Sequence, residues 1–170
     1  MGEAELYARR KRCRALTTKR DITHAGAPNV LNRDFTATEP HPKWVREITS
    51  IPTTQGWLYL AVMLDLYSRA VVGWSMSESC DEALAEQALN RAVSRRRLPA
   101  GFLHHRDRGC QYSSRAYRHQ LEQLGAVVSM SRKGNCWDNA AMESFCGTLK
   151  EECVGNQISC SHEQASRKVL

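Results

Sequence analysis

Three carboxylates in this sequence are placed where they could work together. Glu47 falls midway along a strand-like run, Asp107 follows His105-Arg106 at the end of another, and Glu143 lies inside a helical stretch, with thirty-five residues separating it from Asp107. If the fold brings all three to one point, they repel one another unless cations neutralise them, and their hard oxygen donors suit Mg²⁺ or Mn²⁺. Two such ions can activate an attacking water or hydroxyl and stabilise the leaving oxygen of a phosphodiester. The plain alternative is that they are solvated surface groups among Asp+Glu 18. Each acid taken singly reads that way.

The elements that must position them follow from hydrophobic periodicity. Lys43–Ile51, Trp57–Leu64 and Ala70–Met76 read as strands joined by turns at Thr53–Gly56 and Asp65–Arg69, an antiparallel meander. The second run is apolar on both faces, as in the middle of a covered sheet. Leu84, Ala88, Leu89, Ala92 and Val93 recur at helical spacing, with Arg95–Arg97 expected in the last turn before Pro99. Gly101–His105 and Ala126–Met130 are short strands, and Ser113–Leu124 is a helix with Gly125 as its C-cap. A last clear helix is expected over Trp137–Cys153, and Ser161–Leu170 begins to look helical. This order predicts an α/β sheet of five strands with mixed direction, flanked by helices. The ribonuclease H-like fold has that order, although order alone does not single it out. In a sheet where the first and fourth strands are neighbours, Glu47 and Asp107 can meet near one edge, and a helix packed across that edge can bring Glu143 to the same point.

At 170 residues the chain suits one domain, with Lys+Arg 24 giving a formal charge of +6. Residues 1–36 hold eight Lys/Arg against four acids, net +4, which leaves +2 for residues 37–170. The excess sits in a leading basic arm without sustained periodicity, followed by a Pro- and Gly-punctuated linker. Such an arm attracts a polyanion, most often nucleic acid, or is merely a solvated tail. The apolar stretch Trp57–Leu64 stops at Asp65 and is too short to cross a bilayer. With no apolar leader and seven cysteines, an odd number, a cytoplasmic protein with reduced thiols is expected. Cys146, Cys153 and Cys160 recur every seven residues near His162, without the close pairs typical of zinc sites. Trp44, Trp57 and Trp74 read as core anchors and Trp137 as packed; His104 and His105 beside Asp107 read as ligands or general bases, or else His104 is packed and His105 supports the acids from behind. Arg132 and Lys133, in a Gly-containing loop before the last helix, are candidate DNA contacts or simply a solvated loop.

A long ordered series of blocks then carries a resemblance. It runs from Asn29-Val30-Leu31-Asn32-Arg33-Asp34-Phe35 through Lys43-Trp44-Val45-Arg46-Glu47-Ile48-Thr49, Gly56-Trp57-Leu58-Tyr59-Leu60 and Leu64-Asp65-Leu66-Tyr67-Ser68-Arg69. It continues with Val72-Gly73-Trp74, Asp107-Arg108-Gly109, Gln111-Tyr112 and the run Ser129 to Asn139, and it closes with Glu143-Ser144-Phe145 and Gly147-Thr148-Leu149-Lys150. Over about residues 29–155 the chain resembles the second-frame transposase product of bacterial insertion sequences, in the retroviral-integrase superfamily. The resemblance implies a ribonuclease H-like fold with a D, D, E triad and two divalent metals, Mg²⁺ or Mn²⁺. Glu47, Asp107 and Glu143 would be the catalytic, metal-binding acids. Lys150 matches a basic residue of the family that is thought to contact DNA. Helical spacing puts Asn139, Glu143 and Lys150 on one face, at offsets of four and seven, so Asn139 joins Arg132, Lys133 and Lys150 as DNA-binding candidates.

The sequence also departs from that family. Its first acid is aspartate, and Glu47 is one methylene longer, so impaired strand transfer is expected. Asp65 has no triad counterpart and reads as a turn residue. Family members carry an upstream helix-turn-helix region and a further basic segment downstream, so a copy shortened at both ends is expected: residues 1–36 as arm and linker, residues 37–170 as the integrase-type core. The expected partners are mobile-element ends and target DNA, a second copy of the chain, and no membrane. The expected activity is metal-dependent DNA cleavage and strand transfer, with a catalytically inactive DNA-binding remnant as the alternative.

Overall fold

A computed structural model describes residues 26–40, 42–108, 115–154 and 161–169. The basic arm up to residue 25, the expected start of the second helix at residues 113–114, Gln111-Tyr112, Cys110 and Cys160 lie outside the described residues.

Strands β1 (Lys43–Thr53), β2 (Gly56–Asp65) and β3 (Val71–Ser77) form the expected meander, followed by helix α1 (Glu82–Ser94). Strand β4 (Leu103–Arg106), helix α2 (Arg115–Gln123), strand β5 (Val127–Met130), helix α3 (Ala140–Leu149) and helix α4 (His162–Val169) complete the order. The sheet runs β3-β2-β1-β4-β5, antiparallel across the meander and parallel for β1 with β4 and β4 with β5. Alternation along β1 sorts its side chains between two cores. Trp44 and Ile48 pack with α1 and α2 on one face, while Val45 and Ile51 pack with Met142 and Cys146 of α3 and Ala165 of α4 on the other. The apolar β2 serves both, giving Ala61 and Met63 to one side and Leu60, Val62 and Leu64 to the other. Glu47 therefore shares the α3 face of β1.

Several boundaries differ from the sequence reading. Helix α1 ends at Ser94, with Arg95 as C-cap donating its N–H to the Ala92 carbonyl, so the Arg95–Arg97 cluster lies beyond it and Arg91 is the basic residue of the last turn. Pro99 disfavours helix at Leu98 and shortens the run. The last helix is composite: a 3₁₀ turn at Cys136–Asn139, then α3, then a π turn at Lys150–Val154. Asn139, with φ −122° and ψ 30°, leaves helical geometry where its side chain reaches over to β1. Two tryptophans expected to be packed are exposed: the expected anchor Trp57 at 52 % on the β1–β2 hairpin and Trp137 at 69 % on the 3₁₀ turn. Trp44 is fully buried, edge-on to Phe102 with ring centroids 5.4 Å apart, and Trp74 is half-buried beneath the Arg91 guanidinium.

Asp65 is structural, as expected. It is buried at the end of β2, and its Oδ2 accepts from the Ser68 N–H at 3.1 Å and the Ser68 hydroxyl at 2.7 Å, holding the turn in which Arg69 takes φ 58°.

Candidate active site

Glu47, Asp107 and Glu143 come from β1, the residue after β4 and the first turn of α3, and all three line one open pocket of about 420 Å³. Arg108, Ser131, Arg132, Lys133 and Asn139 line it as well. The parallel pairing of β1 with β4 places the Asp107 end of β4 beside Glu47, because Arg46 pairs with Arg106. Glu47 is half-buried, and its carboxyl is pushed up to about 8 by burial first, then by the charges of Asp107 and Glu143. A hydrogen bond from Asn139 Nδ2 to Glu47 Oε2, at 2.6 Å, opposes that push.

The four candidate DNA contacts are placed unequally. Lys133 is exposed on the pocket wall. Asn139 is buried, and its amide nitrogen holds Glu47 Oε2 and, at 3.2 Å, the Arg46 carbonyl, so its side chain is turned to β1. Arg132 borders the pocket, but its guanidinium is engaged by Asp138 at 2.8 Å through Nε and 2.6 Å through Nη2. Lys150 is half-buried where the π turn begins and does not line the pocket. Its charge is felt by Cys146, whose buried thiol is nonetheless pushed up to about 12.

Asp138 was not singled out by the sequence, yet it organises the pocket wall. Its side chain is fully buried and accepts from the Arg132 backbone N–H at 2.9 Å, from the Arg132 guanidinium, and from Arg33 Nε at 3.0 Å. Charge-assisted bonds from two arginines hold its pKa well below the ordinary carboxylate range. Arg33 reaches it from the segment ahead of β1, at φ 65°, a conformation non-glycine residues adopt rarely. The only signal in the sequence was an acid between two residues of the Trp137-Asp138-Asn139 block. Asp138→Ala is expected to cost about 2 kcal/mol, since it removes the shared partner of two half-exposed arginines. The melting temperature should fall by about 4–8 °C. An unchanged melting temperature contradicts the clamp.

Behind the acids, His104 is fully buried with Tyr117 OH at 3.1 Å from its Nε2, and His105 lies between Ser129 and Ser131. Both rings are held well below the usual imidazole range by burial. His162 pairs with Glu78 at 2.9 Å, and Cys146 and Cys153 carry free thiols.

The donor chemistry of the pocket fits a hard divalent cation, because three carboxylates line it and the charges of Asp107 and Glu143 help to raise Glu47. Among the described residues no group of three His, Cys, Asp or Glu stands close enough to hold an ion as placed. Among them, too, no helix is long and apolar enough to cross a membrane.

Comparison with known proteins accords with this geometry. Residues 37–136 match the family described as Integrase core domain. The chain is 45% identical over 163 residues to the uncharacterized 31 kDa protein of insertion element IS600 from Shigella sonnei, covering 96% of this chain and 60% of that protein. It is 48% identical over 135 residues to transposase InsF for insertion sequence IS3A from Escherichia coli, covering 79% and 47%. It is 40% identical over 165 residues to the transposase for insertion sequence element IS904 from Lactococcus lactis, covering 97% and 65%. The chain thus spans between about half and two thirds of the length of these relatives. Among solved structures, its fold resembles a chain of the simian T-cell lymphotropic virus intasome, with TM-score 0.64 at 19% identity over 76% of this chain and 47% of that one. It also resembles the HTLV-2 integrase catalytic core domain solved with magnesium, with TM-score 0.58 at 16% identity over 76% and 84%. These likenesses establish the ribonuclease H-like architecture that the element order had suggested. With the family matched over more than half its length and its acids gathered in one pocket, the chain belongs to the integrase core domain family and is a relative of insertion-element transposases.

Proposed function

We propose that this chain cuts and joins DNA phosphodiesters as the core of a transposase, with Glu47, Asp107 and Glu143 holding Mg²⁺ or Mn²⁺. One observation carries the reading: the three acids come from separate elements to one pocket, where burial first and then the charges of Asp107 and Glu143 push the Glu47 carboxyl up to about 8, a burden that a bound cation relieves. The metal, when bound, supplies Lewis-acid activation of a water or hydroxyl and of the leaving oxygen. The protein supplies the rest. Asn139 orients Glu47, exposed Lys133 and Arg108 attract the phosphate backbone, and the Asp138 clamp keeps the pocket wall in place. Lys150 and the basic arm would extend the contact along DNA, and self-association, by analogy with the dimeric HTLV-2 form, would complete the assembly.

A second reading, a DNA-binding remnant without chemistry, is favoured by the longer Glu47 side chain and by the spacing of the acids. Misplacing a catalytic group by about 1 Å can cost about a hundredfold in rate. The test is nicking of labelled duplex DNA with Mn²⁺, comparing the parent with Asp107→Asn, Glu143→Gln and Glu47→Asp. Cutting by the parent that either neutralising change lowers by at least about a hundredfold supports the enzyme. Cutting by Glu47→Asp alone supports the remnant. Cutting that survives both Asp107→Asn and Glu143→Gln sinks the catalytic assignment.

A further inference from the structure

A row of hydrogen bonds runs through the molecule behind the acids and ends at the pocket wall. His105 on β4 and Ser129 on β5 are partners in the parallel pairing, and both are fully buried. Ahead of β1 the chain crosses β5, where Met130 N–H donates to the Pro28 carbonyl at 3.1 Å. There Ser129 Oγ accepts the backbone N–H of Val30 at 2.9 Å and of Leu31 at 3.0 Å. A hydroxyl has two lone pairs and one proton. With both lone pairs taken, the Ser129 proton goes to His105 Nδ1, 2.8 Å away.

That assignment fixes the tautomer of the ring. Nδ1 accepts, so in the neutral imidazole Nε2 carries the hydrogen and donates to Ser131 Oγ at 3.1 Å. Ser131 is only 5 % exposed, and its backbone is pinned on both sides: its N–H donates to the Arg106 carbonyl at 2.9 Å, and its carbonyl accepts from Arg108 Nε at 2.8 Å. One lone pair of its hydroxyl is filled from behind, and the hydroxyl proton meets no acceptor among the described residues. Ser131 also lines the pocket beside the three acids and the cationic Arg108, Arg132 and Lys133.

We infer that the Ser131 hydroxyl is a DNA-positioning group, donating its proton in a hydrogen bond to a phosphate oxygen of a strand lying in the pocket. The inference rests on the DNA-cutting reading above. A hydroxyl fed by a ring N–H from one side offers its hydrogen to the other, which suits an acceptor-only phosphate oxygen. The row Leu31–Ser129–His105 acts through Ser131, aiming that hydrogen without itself touching DNA.

The test uses the full chain and a fluorescein-labelled duplex, with binding read by anisotropy across a salt series and folding read by thermal melting. Ser131→Ala is expected to weaken binding about tenfold, the size of a hydrogen bond to a charged group. It should leave the salt slope unchanged, because a neutral donor displaces no counterion, and lower the melting temperature by about 2–8 °C, because the buried His105 ring N–H loses its acceptor. Ser131→Thr, which keeps the hydroxyl, should restore binding. A cationic contact would behave otherwise, lowering the slope by about 1 when removed. Parent-like binding by Ser131→Ala overturns the inference and leaves the DNA-cutting reading standing. A parent that shows no salt-dependent binding overturns both.

Discussion

Glu47→Gln is expected to melt higher than the parent and to cut no DNA. In the folded chain the Glu47 carboxyl is raised to about 8, from an ordinary value of 4.5, by burial and by Asp107 and Glu143. The folded state therefore binds more protons than the unfolded state between those values. The group's contribution to stability is fully present below about pH 4.5 and is lost as pH rises through about 8. Glutamine neither titrates nor repels, and its side-chain oxygen can still accept from Asn139. The advantage of the variant should open above about pH 5 and level off beyond about pH 8. It should reach about 2 kcal/mol after allowing for the partial exposure and coupling of the group, or about 4–8 °C in melting temperature. His105 is common to both proteins and cancels in the comparison. Melting curves across pH 5–9 (about the range in which the two states differ) check it. A gap that does not vary with pH removes the electrostatic account of the site.

The same variant separates stability from function. Millimolar Mg²⁺ should raise the melting temperature of the parent, since an ligand bound only by the folded state at about ten times its Kd stabilises it by about 1.4 kcal/mol. It should leave Glu47→Gln where it was. A site that is more stable without its first acid, and unresponsive to metal, is expected where function is what selects the repulsion.

The largest effect on folding is expected at Gly73, far from the pocket. On β3 this glycine faces α1, whose Ala85, Ala88 and Ala92 are all fully buried and let the helix lie close on the strand. A Cβ at position 73 would fall 2.6 Å from Ala92 Cβ and closer still to the Ala88 carbonyl oxygen. Because the obstacle includes helix backbone, no rotamer change relieves it, and α1 must lift away from the sheet. Gly73→Ala should cost about 2–3 kcal/mol and lower the melting temperature by about 5–10 °C, and Gly73→Val should cost more. Combining Gly73→Ala with Ala92→Gly should recover part of the loss, because the two methyl positions are in direct conflict. Thermal denaturation of the four proteins decides it. A Gly73→Ala protein that melts with the parent would mean that α1 does not sit so close.

Both predictions turn on how side chains meet, and there the sequence and the tertiary structure contributed different things. The strand alternation of β1, the apolar run of β2 and the helical spacing of α1 each arise within ten or so neighbouring residues, so the meander and the first helix were legible. So was the convergence of Glu47, Asp107 and Glu143, because the element order and the resemblance implied a sheet with β1 beside β4. Asp65 could be read as a turn residue for the same local reason: its partner Ser68 lies three positions away.

What stayed hidden depends on contacts between residues about a hundred positions apart. Arg33 and Asp138 form one ion pair across such a gap, as do Asn139 and Glu47 in their hydrogen bond and the Val30 and Leu31 amides with Ser129. The Asn139 contact turned that side chain toward β1 at the start of α3, and the Asp138 that Arg33 reaches also engages Arg132, six positions away. The exposure of Trp57 and Trp137 was decided in the same way, by which face of its element found a neighbour. Sequence by itself determined the elements and which acids could share a pocket, since propensity and residue type are local properties. Only the tertiary structure decided which polar groups are spent holding the site and which, like Ser131 and Lys133, are left facing the pocket, because hydrogen-bond partners are assigned by packing and not by position along the chain.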